Sequence, residues 1–141
     1  MKKETEVKKN LIDHFLTLNE FSGVDFLTSD NVSLANKPFK PTAGETWFQV
    51  NCVVGEPELI GNFNTNQERY IGFLQIDINT PINVGEDESE DIYLNICKLF
   101  SVGTIIGDAQ IKKVYSPLAT VDEDYFRKIV RINFVADIYN N

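Results

Sequence analysis

Tyr70-Ile71-Gly72-Phe73-Leu74-Gln75-Ile76-Asp77-Ile78-Asn79 is the stretch on which the fold turns. Leu74, Ile76 and Ile78 recur at every second position, so an extended chain points all three the same way and buries one face. Asp77 is one position out of phase with them and is expected to face solvent. Gly72, near the start, marks a bulge or a close backbone contact. Upstream, Thr46-Trp47-Phe48-Gln49-Val50-Asn51-Cys52-Val53-Val54 repeats the pattern, with Phe48, Val50 and Cys52 on one side and Trp47, Gln49 and Asn51 on the other. The two strands form a hairpin joined by Gly55 to Glu68, far longer than the usual two to five residues. Such a length leaves two readings open, a functional loop or a partly disordered one. Leu59, Ile60 and Phe63 are large apolar side chains in an otherwise polar segment, which makes them candidates for a contact formed only in an assembly. Their alternative is to fold back on their own sheet.

Working outward, Val7, Leu11, Phe15 and Leu18 fall at spacings of four, four and three from Glu4 to about Leu18, with Ile12 alongside. That stripe predicts an amphipathic helix. Phe21 to Leu27 reads as a turn and a short strand candidate. Asn36-Lys37-Pro38-Phe39-Lys40-Pro41 breaks regularity twice, because proline fixes its own φ and pushes its predecessor toward extended backbone. It is expected to be a stretched, edge-like segment. Beyond Thr80-Pro81, Gly85 to Glu90 opens a second helix whose acids suit the dipole of its first turns. Ile92, Ile96, Leu99 and Phe100 form its buried stripe, and Gly103 is a plausible terminator. Ala109 to Ser116 and Tyr125 to Asp137 supply two further strands, with a polar, acidic turn from Pro117 to Asp124. The expected fold is α+β, a mainly antiparallel sheet of four to five strands with two helices packed on one face.

The chain has 141 residues, which suits a single domain over residues 1–141, and 43% of them are apolar, enough for a core without staples. A formal net charge of −8 disfavours binding to nucleic acid through phosphates. Acids cluster at Glu86 to Asp91 and at Asp122 to Asp124, where a docking face competes with an ordinary solvated helix start and turn. Cys52 and Cys97 sit in apolar runs and share no Cys-x-x-Cys spacing, so they read as small buried hydrophobes in a reducing compartment. Met1-Lys2-Lys3-Glu4 leads into a charged amphipathic segment instead of an apolar signal region. No apolar run approaches the roughly 20 residues of a membrane-spanning helix, so neither a membrane partner nor export is expected.

The search for chemistry comes back empty. His14 is the sole histidine, one residue off its helix stripe, and has no partner at metal-ligand spacing. A Ser-His-Asp or Cys-His nucleophile has little to work with. No glycine-rich phosphate loop is present. Asp77 would need a second carboxylate for metal-assisted hydrolysis. The expectation is no catalytic residue, no metal and no cofactor. Trp47 is a core residue or, given the proline-rich segment before it, an interface residue.

The order of segments is itself informative. A helix, then Asn36-Lys37-Pro38-Phe39-Lys40-Pro41, then Glu45-Thr46-Trp47-Phe48-Gln49-Val50, resembles the N-terminal half of the tail terminator-like proteins of long-tailed, siphovirus-type bacteriophages. Arg69-Tyr70-Ile71-Gly72-Phe73-Leu74-Gln75-Ile76-Asp77-Ile78 is similar to the next strand of that family. The acidic helix start and the closing Val130-Arg131-Ile132-Asn133-Phe134-Val135-Ala136-Asp137 are similar as well. The likeness covers about residues 8 to 138 and rests on order and spacing more than on any one motif. The long Gly55–Glu68 loop departs from it. The resemblance implies a virion protein, made in the host cell cytoplasm, that caps the tail tube as a ring (a hexamer) and halts tube polymerisation. It implies self-association, the tail-tube protein and a head-completion or connector protein as partners, with DNA only passing through the lumen. Phe39, Trp47 and Arg69 join Leu59, Ile60 and Phe63 as candidate interface residues. Another phage neck or tail-completion protein is the near alternative, and a small cytoplasmic ligand-binding domain the distant one.

Overall fold

A computed structural model of the chain describes residues 3–34, 39–60, 67–82, 86–122 and 124–139. Among these residues three helices and eight strands follow in the order α1 (Lys3–Phe15), α2 (Leu18–Ser22), β1 (Val32–Leu34), β2 (Trp47–Val54), β3 (Glu58–Ile60), β4 (Gln67–Pro81), α3 (Asp87–Leu99), β5 (Ile105–Ile106), β6 (Ala109–Val114), β7 (Leu118–Val121) and β8 (Tyr125–Tyr139). The sheet runs β1-β2-β4-β8-β6-β5, with β3 added to β4 and β7 added to β8. β1 joins β2 in parallel, so the sheet is mixed.

This corrects the expected fold. Eight strands form a mixed, curled sheet in place of a mainly antiparallel one of four or five strands with two helices on one face. The strands that escape the sequence are short ones, two to four residues long (β1, β3, β5 and β7). A run that short shows at most one repeat of the strand period. Phe21–Leu27 holds no strand: its first residues end α2, which closes on Gly23 at φ 75°, and the strand comes later at Val32. The Pro117–Asp124 turn contains β7, and the Gly55–Glu68 connection contains β3 and the start of β4. Of the proline-rich segment, residues 35–38 lie outside the described residues, and Phe39 to Pro41 are irregular.

The stripe residues are buried as the spacing predicts, but the first stripe is divided, since α1 ends at Phe15 and Leu18 opens α2, and Phe100 of the second lies just past α3. Val7, Leu11 and Phe15 of α1, Leu18 of α2, and Ile92, Ile96 and Leu99 of α3 are buried. α1 packs on β2, α3 on β4, and α2 on α3. Across from them lie Phe48 and Val50 of β2, Leu74, Ile76 and Ile78 of β4, and Val130, Ile132, Phe134 and Ala136 of β8, all buried. Phe15 meets Phe48 edge to face with ring centres 6.0 Å apart. Burying one such side chain is worth roughly 1.5–3 kcal/mol, so this single cluster dominates the fold's stability. One cation joins it: Lys128, 7% exposed, bonds Glu90 of α3 through Nζ at 2.6 Å.

β4 and β8 are the spine. All fifteen residues of one pair with all fifteen of the other, from Gln67 opposite Tyr139 to Pro81 opposite Tyr125. Gly72 lets β2 approach this spine. A Cβ there would lie 2.2 Å from the Val53 carbonyl oxygen and 2.9 Å from Phe134 Cζ, so the residue marks a close backbone contact. β6 carries a bulge between Ile111 and Lys113, which gives β6 one residue more than β8 over that step.

Candidate interaction surface

Direct cross-strand partners share a face, so the register assigns every side chain of the sheet to the core face or to the outer one. On the outer face Trp47, Asn79 and Arg127 stand in one row across β2, β4 and β8, and Gln49, Asp77 and Ile129 stand in the next. Asn51, Gln75 and Arg131 follow, and then Val53, Phe73 and Asn133. Amides and arginines dominate, and they bond to one another. Arg127 Nε donates to Asn79 Oδ1 at 2.7 Å, and Arg131 Nη2 donates to Gln75 Oε1 at 2.9 Å. The Arg131 guanidinium also lies 4.1 Å from the Phe73 ring centre.

Asp77 overturns its expectation. It does lie on the outer face, yet it is only 7% exposed, because it is flanked by Gln49 and Ile129 and has Gln75 and Arg127 beside it. Burial pushes its carboxyl above the usual range, while a hydrogen bond from Gln75 Nε2 (3.2 Å) and the Arg127 charge pull the other way. Among the described residues no group of three or more His, Cys, Asp and Glu is arranged to hold a metal. His14 sits at the α1 end with Nε2 3.0 Å from the Leu99 carbonyl oxygen and its ring edge-on to Phe100. Cys52 and Cys97 are unpaired and half-buried, and burial pushes the Cys52 thiol up to about 12. Such a thiol stays protonated at neutral pH and is a poor nucleophile. No helix among the described residues is long and apolar enough to cross a membrane.

The six candidate interface residues divide between two ends of the sheet. Phe39 stacks on Trp47 with ring centres 5.4 Å apart, and Tyr125 meets Trp47 edge-on at 6.2 Å. Tyr125 Oη donates to the Thr42 carbonyl at 3.4 Å, so the segment leading into β2 is held against this end of the outer face. Leu59 and Arg69 belong to the other end, where β3 pairs with β4. From Asn79, opposite Trp47, to Glu68, opposite Leu59, β4 advances eleven residues, about 36 Å of strand. Leu59 is 76% exposed, so it does not fold back onto its own sheet. Ile60 ends β3, and Phe63 lies outside the described residues.

Two features of this surface are absent from the sequence reading. One is β7, whose four residues are all exposed, with Leu118 at 70% and Val121 at 69%. The other is a hollow of about 490 Å³ beside it on the outer face, lined by Phe73, Leu118, Ile129 and Arg131 among others. The only sequence signal for either was Leu118-Ala119-Thr120-Val121, an apolar and β-branched run inside a segment bounded by Pro117 and Asp122.

A family model described as phage tail terminator protein matches residues 9–128. Among solved structures, one chain superimposes with a TM-score of 0.62 at 15% identity, covering 94% of this chain and 98% of its own length. That likeness is one of fold. A search of the curated proteins returns no match.

Proposed function

The chain belongs to the phage tail terminator family, structural proteins of the virion tail, and from that premise we propose that it closes as a six-fold ring on the end of the tail tube. Seated there, the ring stops tube polymerisation and offers the head-completion protein a docking face. The observation that carries this reading is the family match, which runs from within α1 to the first residues of β8.

The physical surface supports it. A closed ring repeats one heterologous contact, so each subunit must present two unlike faces that fit each other. Here exposed apolar side chains stand toward both ends of one stiff ribbon, Leu59 beside one and Leu118 and Val121 toward the other. A net charge of −8 keeps such a ring from gripping the DNA that threads it, since phosphate contacts are what hold DNA to protein.

The test is assembly in vitro. Tail-tube protein polymerised with and without this chain should give tubes of different length, with extra density of six-fold symmetry at one end only. Tubes of unchanged length with bare ends would sink the proposal.

A further inference from the structure

Among the described residues β1, β3, β5 and β7 each bond to one strand only, and β3 and β7 stand toward opposite ends of the spine. β3 bonds only to β4, at Gln67–Arg69, and β7 bonds only to β8, at Phe126–Ile129. Neither has a second strand partner among the described residues. Free backbone N–H and C=O groups beside exposed apolar side chains make a template for another strand, and natural sheets usually blunt such edges. Both strands are short, yet each keeps an open apolar side chain: Leu59 is 76% exposed, Leu118 70% and Val121 69%.

Their placement is diagonal. β3 lies at the Gln67–Tyr139 end of the spine, on the β2 side, and β7 lies toward the Pro81–Tyr125 end, on the β6 side. Centre to centre they are about ten residues apart along the spine, or roughly 33 Å. One molecule therefore carries two different free edges pointing in opposite directions.

Their charges are complementary. At β3 itself the exposed carboxylates of Glu56 and Glu58 stand beside Arg69, whose charge Asp137 takes up through two hydrogen bonds. The hollow beside β7 is lined by Phe73, Tyr115, Leu118, Ile129, Arg131 and Asn133, with no acid among its lining residues. Lys113 adds a second cation at its rim, with Nζ 4.4 Å from the Tyr115 ring centre. The nearest acid along β7, Asp122, is taken up by the N–H groups of Asp124 and Tyr125 and by Arg127. An acidic apolar edge and a basic apolar edge on one chain describe a donor and its acceptor.

We propose that β3 of one copy adds to the β7 edge of the next, with Leu59 covering the apolar side chains at β7 and the acids around β3 facing Arg131 and Lys113. Main-chain hydrogen bonds supply the affinity, and the side chains set the register. The sheet then runs on from subunit to subunit, head to tail. This rests on the ring reading above and names the contact that closes it.

Two substitutions at exposed positions test it, Leu59→Asp and Leu118→Asp, each checked for an unchanged melting temperature. Oligomeric state is measured by light scattering, and on tail-tube ends by electron microscopy. Wild type should form the ring, and each variant alone should lose it. An equimolar mixture should give a dimer and nothing larger, because Leu118→Asp keeps an intact donor and Leu59→Asp an intact acceptor. Rings formed by either variant alone, or a mixture that stays monomeric, would overturn the β3–β7 contact while leaving the ring reading standing. Rings that persist in both variants but no longer cap tubes would assign these edges to the tube protein and overturn it equally. A wild-type chain that remains monomeric both in solution and on tubes would remove the ring reading itself.

Discussion

Arg69 and Asp137 face each other directly across β4 and β8 and form a two-pronged pair, Nε to Oδ1 at 2.8 Å and Nη2 to Oδ2 at 3.1 Å. The Arg69 guanidinium holds the Asp137 carboxyl below its usual range. At the middle of the same outer face, burial drives the Asp77 carboxyl the opposite way. Two aspartates on one sheet therefore carry opposite pH signatures.

For Asp137 the folded form binds its proton more weakly than the unfolded chain does. It contributes stability above the ordinary value near 3.8, and that contribution is lost as pH falls through the depressed one. For Asp77 the sign reverses, and stability declines as pH rises from 3.8 through the raised value. Asp137→Asn should lower the melting temperature at pH 7 and converge with wild type in acid. Asp77→Asn should raise it at pH 7 and converge likewise. Melting curves from pH 3 to 7 check both, and two variants shifting the same way at pH 7 would contradict the assignment.

Phe15 and Ile96 are fully buried at the centre of the helix–sheet contact. Replacing either with alanine leaves a cavity that the packed neighbours fill only in part. The expected cost is about 2–5 kcal/mol, a large share of a typical domain's stability. Urea denaturation should show a lower midpoint with an unchanged slope.

Gly72→Ala tests the close approach of β2 to the spine. The added methyl meets a backbone carbonyl, which cannot rotate aside, and the Phe134 ring. Overpacking of this kind costs about 1–3 kcal/mol, and β2 must shift to relieve it. Hydrogen exchange should therefore quicken in Cys52 to Val54, the residues that pair with Gly72 to Leu74, more than in β8.

Trp47 is the only tryptophan, so its fluorescence reports on one place. Phe39→Ala removes the ring stacked against it and admits water to that end of the sheet. The emission maximum should move to longer wavelength, and stability should fall by at least the roughly 0.5–1.5 kcal/mol that an aromatic pair adds beyond its buried area. An unmoved emission maximum would mean that Phe39 does not shield the indole in solution.

How much of this was legible in the sequence depended on repetition. The stripe Val7-Leu11-Phe15 and the alternation Leu74-Ile76-Ile78 each recur often enough to fix an element and the face it buries, although the spacing to Leu18 hides the break between α1 and α2. Leu118-Ala119-Thr120-Val121 does not alternate, because all four side chains are exposed and no buried face imposes a period. Val32-Ser33-Leu34 is three residues long and is defined by its parallel partner Phe48-Gln49-Val50, which no local pattern announces. Asp77 shows a second limit. Its phase assigns it to the outer face correctly, but phase says nothing of the long side chains packed around it there. The candidate surface was half legible for the same reasons: Leu59 stood out as an apolar residue among polar ones, whereas the hollow beside Leu118 exists only once β6, β7 and β8 are side by side.

The unbroken pairing of β4 with β8 also has a mechanical meaning. The two strands run antiparallel for fifteen residues each, a ribbon about 50 Å long. Tension applied along the ribbon, entering through β4 at one end and leaving through β8 at the other, pulls on every cross-strand hydrogen bond at once. The strands must slide, and sliding breaks the whole ladder in a single event. Tension applied to both strands at one end, Gln67 and Tyr139, opens the ladder one pair at a time and needs far less force. Forced unfolding is governed by the unfolding rate, so the same molecule should be strong along its length and weak at either tip. Pulling single molecules from those two pairs of attachment points would measure that anisotropy.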